Sequence, residues 1–491
     1  MHRLHAGVTR IMKQRTQVLV AAAVSMLLLA ARGWAQSPNR YILRADPSQQ
    51  SAISQAYGLN TVQQLGQPEA VVVTGPASVS SDAFVDQVRA DSRVTAFELV
   101  RNAQLVEGSG RAQQTAPAGS LTPALSTPTS TSFFGNPVWV AYVTQPALAQ
   151  IDWAWTSAAF GQSLGSNTPG YGAVVADIDT GIDPSDPALQ GVLLPGYDFV
   201  HNQPGASEWV DLDQSTTAIL NQSTSAILNQ STSAILNGSQ VVQLNQSTAA
   251  ILDQSTAAIL NSTTLPAEFG HGTMVAGLIH LVAPGAQIMP LKAFSANGSA
   301  ANSDIIRAIY YAVENGANVI NMSFTEADLS SELLLAVNYA NRHGVVCVAS
   351  IGNTARTAPA YPASLGEVLG VGSVSAAGTL STFSSYGPDL LTLVAPGEGL
   401  ITTYPGSHWA AVSGTSFSAA LVSANVAIGL GSENQQGTNP ADYSDSDDAM
   451  DAIASANGYD PLLGWGVLNV AQMSQIEHPV ERHHKHEHSD Y

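Results

Sequence analysis

The 491-residue chain, about three average domains in length, carries 17 Lys and Arg against 37 Asp and Glu, a formal net charge of −20 with 11% charged residues. Its 45% hydrophobic content supplies a large core and excludes full disorder. So acidic a balance argues against nucleic-acid binding, which needs clustered Lys and Arg to neutralise phosphates, and the lone Cys347 excludes a disulfide scaffold.

Met1 to Ala35 holds Arg3, Arg10, Lys13, Arg15 and Arg32, no acid, and an apolar run from Val18 to Ala30. That run, about 13 residues, is short for a bilayer and suits a secretory leader, with Gly33-Trp34-Ala35 offering small residues for cleavage after Ala35. Residues 1–35 are read as a signal peptide, with an N-terminal anchor as the other reading. No later run reaches transmembrane length, so no stable membrane anchor is expected, and the exported chain is more acidic still.

Residues 36–104 read as a small α+β unit. Strands are expected at Tyr41 to Arg44, Thr61 to Leu65, Ala70 to Thr74 and Val94 to Val100, with helices from Ser48 to Tyr57 and from Ser81 to about Ala90. The order β-α-β-β-α-β is that of the ferredoxin-like split unit. Residues 105–137 turn to Ser, Thr, Pro, Ala and Gly, a composition that buries little and reads as a flexible linker. Over 138–472 apolar strand-like runs alternate with helical ones. Strands are expected at Ala173 to Ile178, Val319 to Met322 and Val345 to Ala349, helices at Ser303 to Asn315 and Leu329 to His343. Such alternation predicts an α/β fold around a largely parallel sheet. Cys347 reads as a small core residue. The His-rich tail, 473–491, is read as solvated, with metal capture the alternative.

Residues 213–260 interrupt this region with six tandem octads, beginning DQSTTAIL, NQSTSAIL, NQSTSAIL; the fourth, NGSQVVQL, is degenerate. An eight-residue period drifts about 80° per repeat around a helix, so no apolar stripe is kept. Extended residues with an Asn- or Asp-led corner suit stacked hairpins or solenoid-like coils. A mobile, repeat-expanded surface insertion is the alternative.

Three motifs carry chemistry: Asp179-Thr-Gly-Ile-Asp183 at a strand end, Gly270-His-Gly-Thr-Met-Val-Ala-Gly277 opening a helix, and Ser413-Gly-Thr-Ser-Phe-Ser-Ala419 opening another. Strand and helix ends of this kind converge at the rim of a parallel sheet. A serine hydroxyl needs a base to take its proton. His271 suits that task, with a side-chain pKa near working pH, and Asp179 would orient the imidazole and stabilise its cation. Glycines beside His271 and Ser416 let a substrate backbone approach, and a helix starting at Ser416 aims N–H groups at an oxyanion.

The order Asp, His, Ser with these flanks resembles the subtilisin-like serine peptidases, the subtilases. The likeness runs from about Tyr142 to Ala471 and includes Val282-Ala-Pro-Gly-Ala286, Val319-Ile-Asn-Met-Ser323, Gly352-Asn353, Tyr361-Pro-Ala363, Phe383-Ser-Ser-Tyr-Gly387, Val394-Ala-Pro-Gly397 and Gly464-Trp-Gly466. The resemblance implies an α/β subtilisin-like fold with a catalytic triad of Asp179, His271 and Ser416. It implies that Asn353 is the side-chain donor of the oxyanion hole. Substrate backbone would pair with Gly298, Ser299 and Ala300 and with Ser323, Phe324 and Thr325. Ser350, Ile351 and Gly352 would line the pocket for the residue before the cut bond. The unit at 36–104 resembles the family's inhibitor-like prodomain, an intramolecular inhibitor and folding chaperone.

The chain departs from the family at several places. Phe417 replaces a Met after the nucleophile, removing an oxidation liability, and Ala420 replaces a Pro in the serine helix. Thr325 replaces a Gly at the pocket wall. Its β-branched side chain predicts a smaller or shallower pocket, unless it points away. Asp177 stands where the family has an apolar residue, on the same strand face as Asp179 and about 6.6 Å from it. That spacing predicts a raised pKa and a displaced pH–rate profile, unless a local backbone or hydroxyl partner satisfies the carboxyl. The acid of the family's usual calcium loop aligns with Ala188, and the helix after His271 runs on uninterrupted. No cofactor or metal is therefore expected, weak calcium sites aside. The expected function is a secreted serine endopeptidase made as a zymogen and acting on proteins or peptides. One alternative is a catalytically degenerate subtilase that binds surfaces through its octads. An acid-active relative with a Glu–Asp–Ser set is disfavoured by His271 and Asn353.

Overall fold

In a computed structural model the described residues are 39–76, 81–105, 130–155, 162–212, 250–251, 266, 268–436 and 460–470. The leader, the tail and all octad residues except Ala250 and Ile251 lie outside them. Two compact units divide the chain, residues 1–100 and 101–491.

In the first unit β1 (Arg40–Ala45), α1 (Pro47–Tyr57), β2 (Asn60–Gln64), β3 (Ala70–Thr74), α2 (Ser81–Arg89) and β4 (Val94–Leu99) follow the expected order. Their antiparallel sheet runs β2-β3-β1-β4, the ferredoxin-like arrangement. Helix α1 starts one residue before the sequence expectation because Asp46 accepts the Ser48 N–H and Pro47 takes the first turn. It stops at Gly58, in the left-handed region at φ 64°. Tyr41, Phe84 and Phe97 close the core, with Tyr41 stacked 4.9 Å from Phe97.

The second unit opens with β5 (Asn102–Gln104), β6 (Ser130–Phe133) and β7 (Asn136–Trp139). The β6–β7 hairpin corrects the linker boundary, since residues 130–137 were expected to be flexible. Phe133 is fully buried and meets Phe134 and Trp155 edge-on at 4.9 and 5.1 Å, and these aromatic anchors outweigh the polar composition around them. Short helices α3 (Val140–Val143) and α4 (Pro146–Gln150) lead to β8 (Val174–Asp179), β9 (Tyr197–Asp198), β10 (Gln203–Pro204) and β11 (Ala250–Ile251). Next come α5 (His271–Val282), β12 (Gln287–Lys292), β13 (Ser299–Ala301), α6 (Asn302–Glu314), β14 (Val319–Met322), α7 (Ser331–Arg342) and β15 (Val346–Ser350). The last are β16 (Val368–Val374), β17 (Leu393–Pro396), β18 (Leu400–Tyr404), β19 (His408–Val412) and α8 (Thr415–Gln436).

Among the described residues the main sheet runs β10-β9-β12-β8-β14-β15-β16-β17, parallel throughout except for the β9–β10 pair. Helices α5 and α8 pack on each other, and α8 covers β14 to β17; α6 and α7 form a second packed pair. Strands β14, β15 and β16 are buried along their whole length, which is why they read as continuous apolar runs. Cys347 is a buried core residue whose thiol is pushed up to about 12 by burial. Ala250 and Ile251, from the fifth octad, pair antiparallel with Ala411 and Ala410 of β19.

Candidate active site

Asp179 is the last residue of β8 and His271 the first of α5, and both are buried. Both Asp179 oxygens lie 2.8 Å from His271 Nδ1, and Oδ1 also accepts the Thr180 N–H at 2.6 Å. The turn into α5 depends on glycine twice. Gly270 adopts φ 97°, and a Cβ on Gly272 would fall 2.1 Å from the Gly181 carbonyl oxygen.

Ser416 lies in the first turn of α8, buried, its Oγ donating to the Ser323 carbonyl at 3.3 Å. Ser323 Oγ donates back to the Ser416 carbonyl at 3.2 Å. Phe417, the next residue, sets its ring 5.6 Å from that of His271. Asn353 Oδ1 accepts both the backbone N–H and the hydroxyl of Thr415 at 2.9 Å, which fixes the amide beside Ser416. The structure thus joins Asp179 to His271 and Asn353 to the Ser416 turn, with Ser323 and Ser416 bonded to each other in both directions.

Strand β13 carries two of the expected substrate-pairing residues, Ser299 and Ala300, and Gly298 precedes it. It is paired antiparallel with β5: Leu105 donates to the Gly298 carbonyl at 2.8 Å and Asn302 to the Arg101 carbonyl at 2.9 Å. Ala103 and Leu105 are buried there. Ser323, Phe324, Ser350, Ile351 and Gly352 are buried as well. Thr325 does not point away. A Cβ placed on Gly352 would lie 3.5 Å from the Thr325 methyl, so that methyl faces Gly352.

Asp177 finds a partner in an amide, not in the backbone or hydroxyl groups weighed from sequence. Parallel register sets it beside Asn321, whose Nδ2 donates to Oδ1 at 3.0 Å, while Oδ2 has no partner. Burial, then the Asp179 charge, holds this carboxyl well above its ordinary range. Asn321 also donates to Ser323 Oγ and accepts from Ser423 Oγ, each at 2.9 Å, linking Asp177 to the residue that bonds Ser416.

Sequence reasoning missed Glu208, a fully buried acid whose carboxylate meets Gly270, Thr273 and Thr180. Burial pushes it up to about 8, against the pull of the Thr273 hydrogen bonds. No motif surrounds it. Asn321 lay inside a recognised motif but drew no role, because its partner is remote in sequence. Among the described residues, no group of three or more His, Cys, Asp or Glu could hold a metal ion, and no helix is long and apolar enough to cross a membrane.

The subtilase family profile matches residues 170–466, and the chain belongs to that family. It is 37% identical over 168 residues to the thermostable alkaline protease of Halalkalibacterium halodurans, covering 32% of this chain and 46% of that protein. It is 32% identical over 280 residues to thermitase of Thermoactinomyces vulgaris, covering 55% and 78%. The chain spans about half the length of the first relatives it matches, 46% of the alkaline protease and 57% of a thermophilic serine proteinase from a Bacillus species. Among solved structures, fervidolysin of Fervidobacterium pennivorans, described as a keratinolytic enzyme related to subtilisin, superimposes with a TM-score of 0.62 at 19% identity. That match covers 91% of this chain and 62% of the other, and it establishes a shared fold.

Proposed function

We propose that the chain is an exported serine endopeptidase made as a zymogen. The carrying observation is the buried Asp179–His271 pair, both carboxylate oxygens at 2.8 Å from Nδ1, in a chain of the subtilase family. With Nδ1–H held by Asp179, Nε2 is the basic nitrogen, in the tautomer that can take the Ser416 proton. Ser416 Oγ then attacks a peptide carbonyl. The oxyanion receives hydrogen bonds from Asn353 Nδ2 and the Ser416 N–H, an arrangement worth roughly 100-fold or more per donor. The imidazolium returns its proton to the departing amine, and water releases the acyl-enzyme by the same steps in reverse.

Substrate would lie against β13 as an added strand. The β5 pairing supports that geometry and supports the reading of 36–104 as an inhibitor-like prodomain whose last residues occupy the strand position until cleavage. The Thr325 methyl favours small side chains in the pocket before the cut bond. Residues 1–35 would direct export. The test is casein hydrolysis by the secreted protein: Ser416→Ala lowers it by roughly 10⁴-fold or more, and a variant that still digests casein overturns the assignment.

A further inference from the structure

We propose that Glu208 is a positioning residue, which holds Asp179 and His271 in register by clamping the start of α5 to the loop after β8. The inference rests on the peptidase reading and adds a residue outside the triad and the oxyanion hole. Glu208 opens a short helical turn, Glu208–Asp211, that Ser207 caps by accepting the Trp209 N–H. One carboxylate oxygen, Oε2, accepts from the Gly270 N–H and from Thr180 Oγ1. The other, Oε1, accepts the Thr273 N–H at 2.8 Å and the Thr273 hydroxyl.

Those donors belong to the two pieces that must stay aligned. Gly270 and Thr273 flank His271 at the open N-terminus of α5, where backbone N–H groups have no partner within the helix and a negative charge is favoured. Thr180 follows Asp179. The clamp is doubled, because Thr180 Oγ1 accepts the Gly272 N–H at 3.1 Å and Thr273 Oγ1 accepts the Asp183 N–H at 2.8 Å. The Gly270 and Thr273 N–H groups can only donate, one to each carboxyl oxygen, so the site calls for a side chain that accepts at two oxygens. Around it stand Asp177 and Asp179 on β8, His271 on α5, Tyr404 on β18, and Lys292 on β12, whose Nζ donates to the Thr180 carbonyl at 2.7 Å. The turn precedes the octads in sequence and α5 follows them, so this carboxylate joins described segments on either side of them.

A slide of α5 by a fraction of an ångström would lengthen the His271–Asp179 contact, and misplacements near 1 Å cost about 100-fold in rate. Wild type, Glu208→Gln and Glu208→Ala are compared well below each protein's Tm. The readouts are kcat and KM on a peptide, the rate of labelling by a serine-directed phosphonate, and the low-field proton resonance of His271 Nδ1–H. KM should stay within about twofold while kcat falls roughly 10-fold in Glu208→Gln and roughly 100-fold in Glu208→Ala. Labelling should slow in parallel and the resonance should move. The partial rescue by Gln distinguishes positioning from mere stability. Wild-type kcat with an unmoved resonance in either folded variant overturns the proposal, and Gln decides if Ala fails to fold. If wild type neither labels nor cleaves, the peptidase reading fails, while an unmoved or shifted resonance in Glu208→Gln still decides the clamp.

Discussion

His280 gives a sharp test of the packing around α5. It lies on that helix, fully buried, with its ring edge-on to Phe133 at 5.6 Å, and neither ring nitrogen has a hydrogen-bond partner. Burial lowers its pKa from 6.5 to about 4. A folded pKa below the unfolded one means that the unfolded chain takes up the proton first. Stability is therefore complete above about pH 6.5 and is lost as pH falls towards 4. At 1.36 kcal/mol per unit the whole interval is worth about 3 kcal/mol, and about 2 kcal/mol is already gone at pH 5.0. Replacing His280 with Leu removes the titrating group and keeps an apolar side chain in place. Urea midpoints at pH 7.5 and 5.0, measured on a Ser416→Ala background to prevent self-digestion, should show the His280 protein losing about 2 kcal/mol more than His280→Leu. Asp186, raised to about 7 by burial, contributes with the opposite sign, losing stability as pH rises, but is common to both proteins and cancels in the comparison. Equal pH dependence in the two proteins would refute the reasoning.

Burial and the Asp179 charge hold Asp177 well above its ordinary range, and its ionisation adds charge near Asp179, so Asp177→Val should displace the pH–rate profile; unchanged limbs contradict this. Because its folded pKa is raised, stability is complete below the unfolded value near 4 and falls as pH rises, so the Val variant's advantage in urea midpoint should grow with pH. Thr325→Gly should raise the kcat/KM ratio of Phe over Ala before the cut bond by roughly 10-fold or more, and an unmoved ratio contradicts the pocket assignment. Deleting residues 213–260 should leave peptidase activity on small peptides within a few-fold of wild type. Loss of activity in a folded deletion would favour the alternative in which the octads are the working part.

Asp179, His271 and Ser416 were legible as candidates because each sits in a short motif at an element end, where glycines and helix starts leave a local signature. Strands were placed within a residue or two where both faces are buried, as at Val319–Met322. Glu208 and the Asp177–Asn321 pair were not legible, since their meaning lies in a register and a loop path that bring remote residues together. The Ser130–Trp139 hairpin was hidden by a polar composition that two phenylalanines override. The β5–β13 pairing joins residues far apart in sequence, and no periodicity in either segment announces it.

The peptidase proposal stands on Ser416 as a nucleophile activated by His271 and Asp179. Its most direct test is covalent labelling of the secreted protein by a serine-directed fluorophosphonate, followed by peptide mapping. One labelled peptide containing Ser416 is expected, absent in Ser416→Ala and strongly slowed in His271→Ala. Labelling elsewhere, no labelling of a folded wild type, or equal labelling in His271→Ala would contradict it.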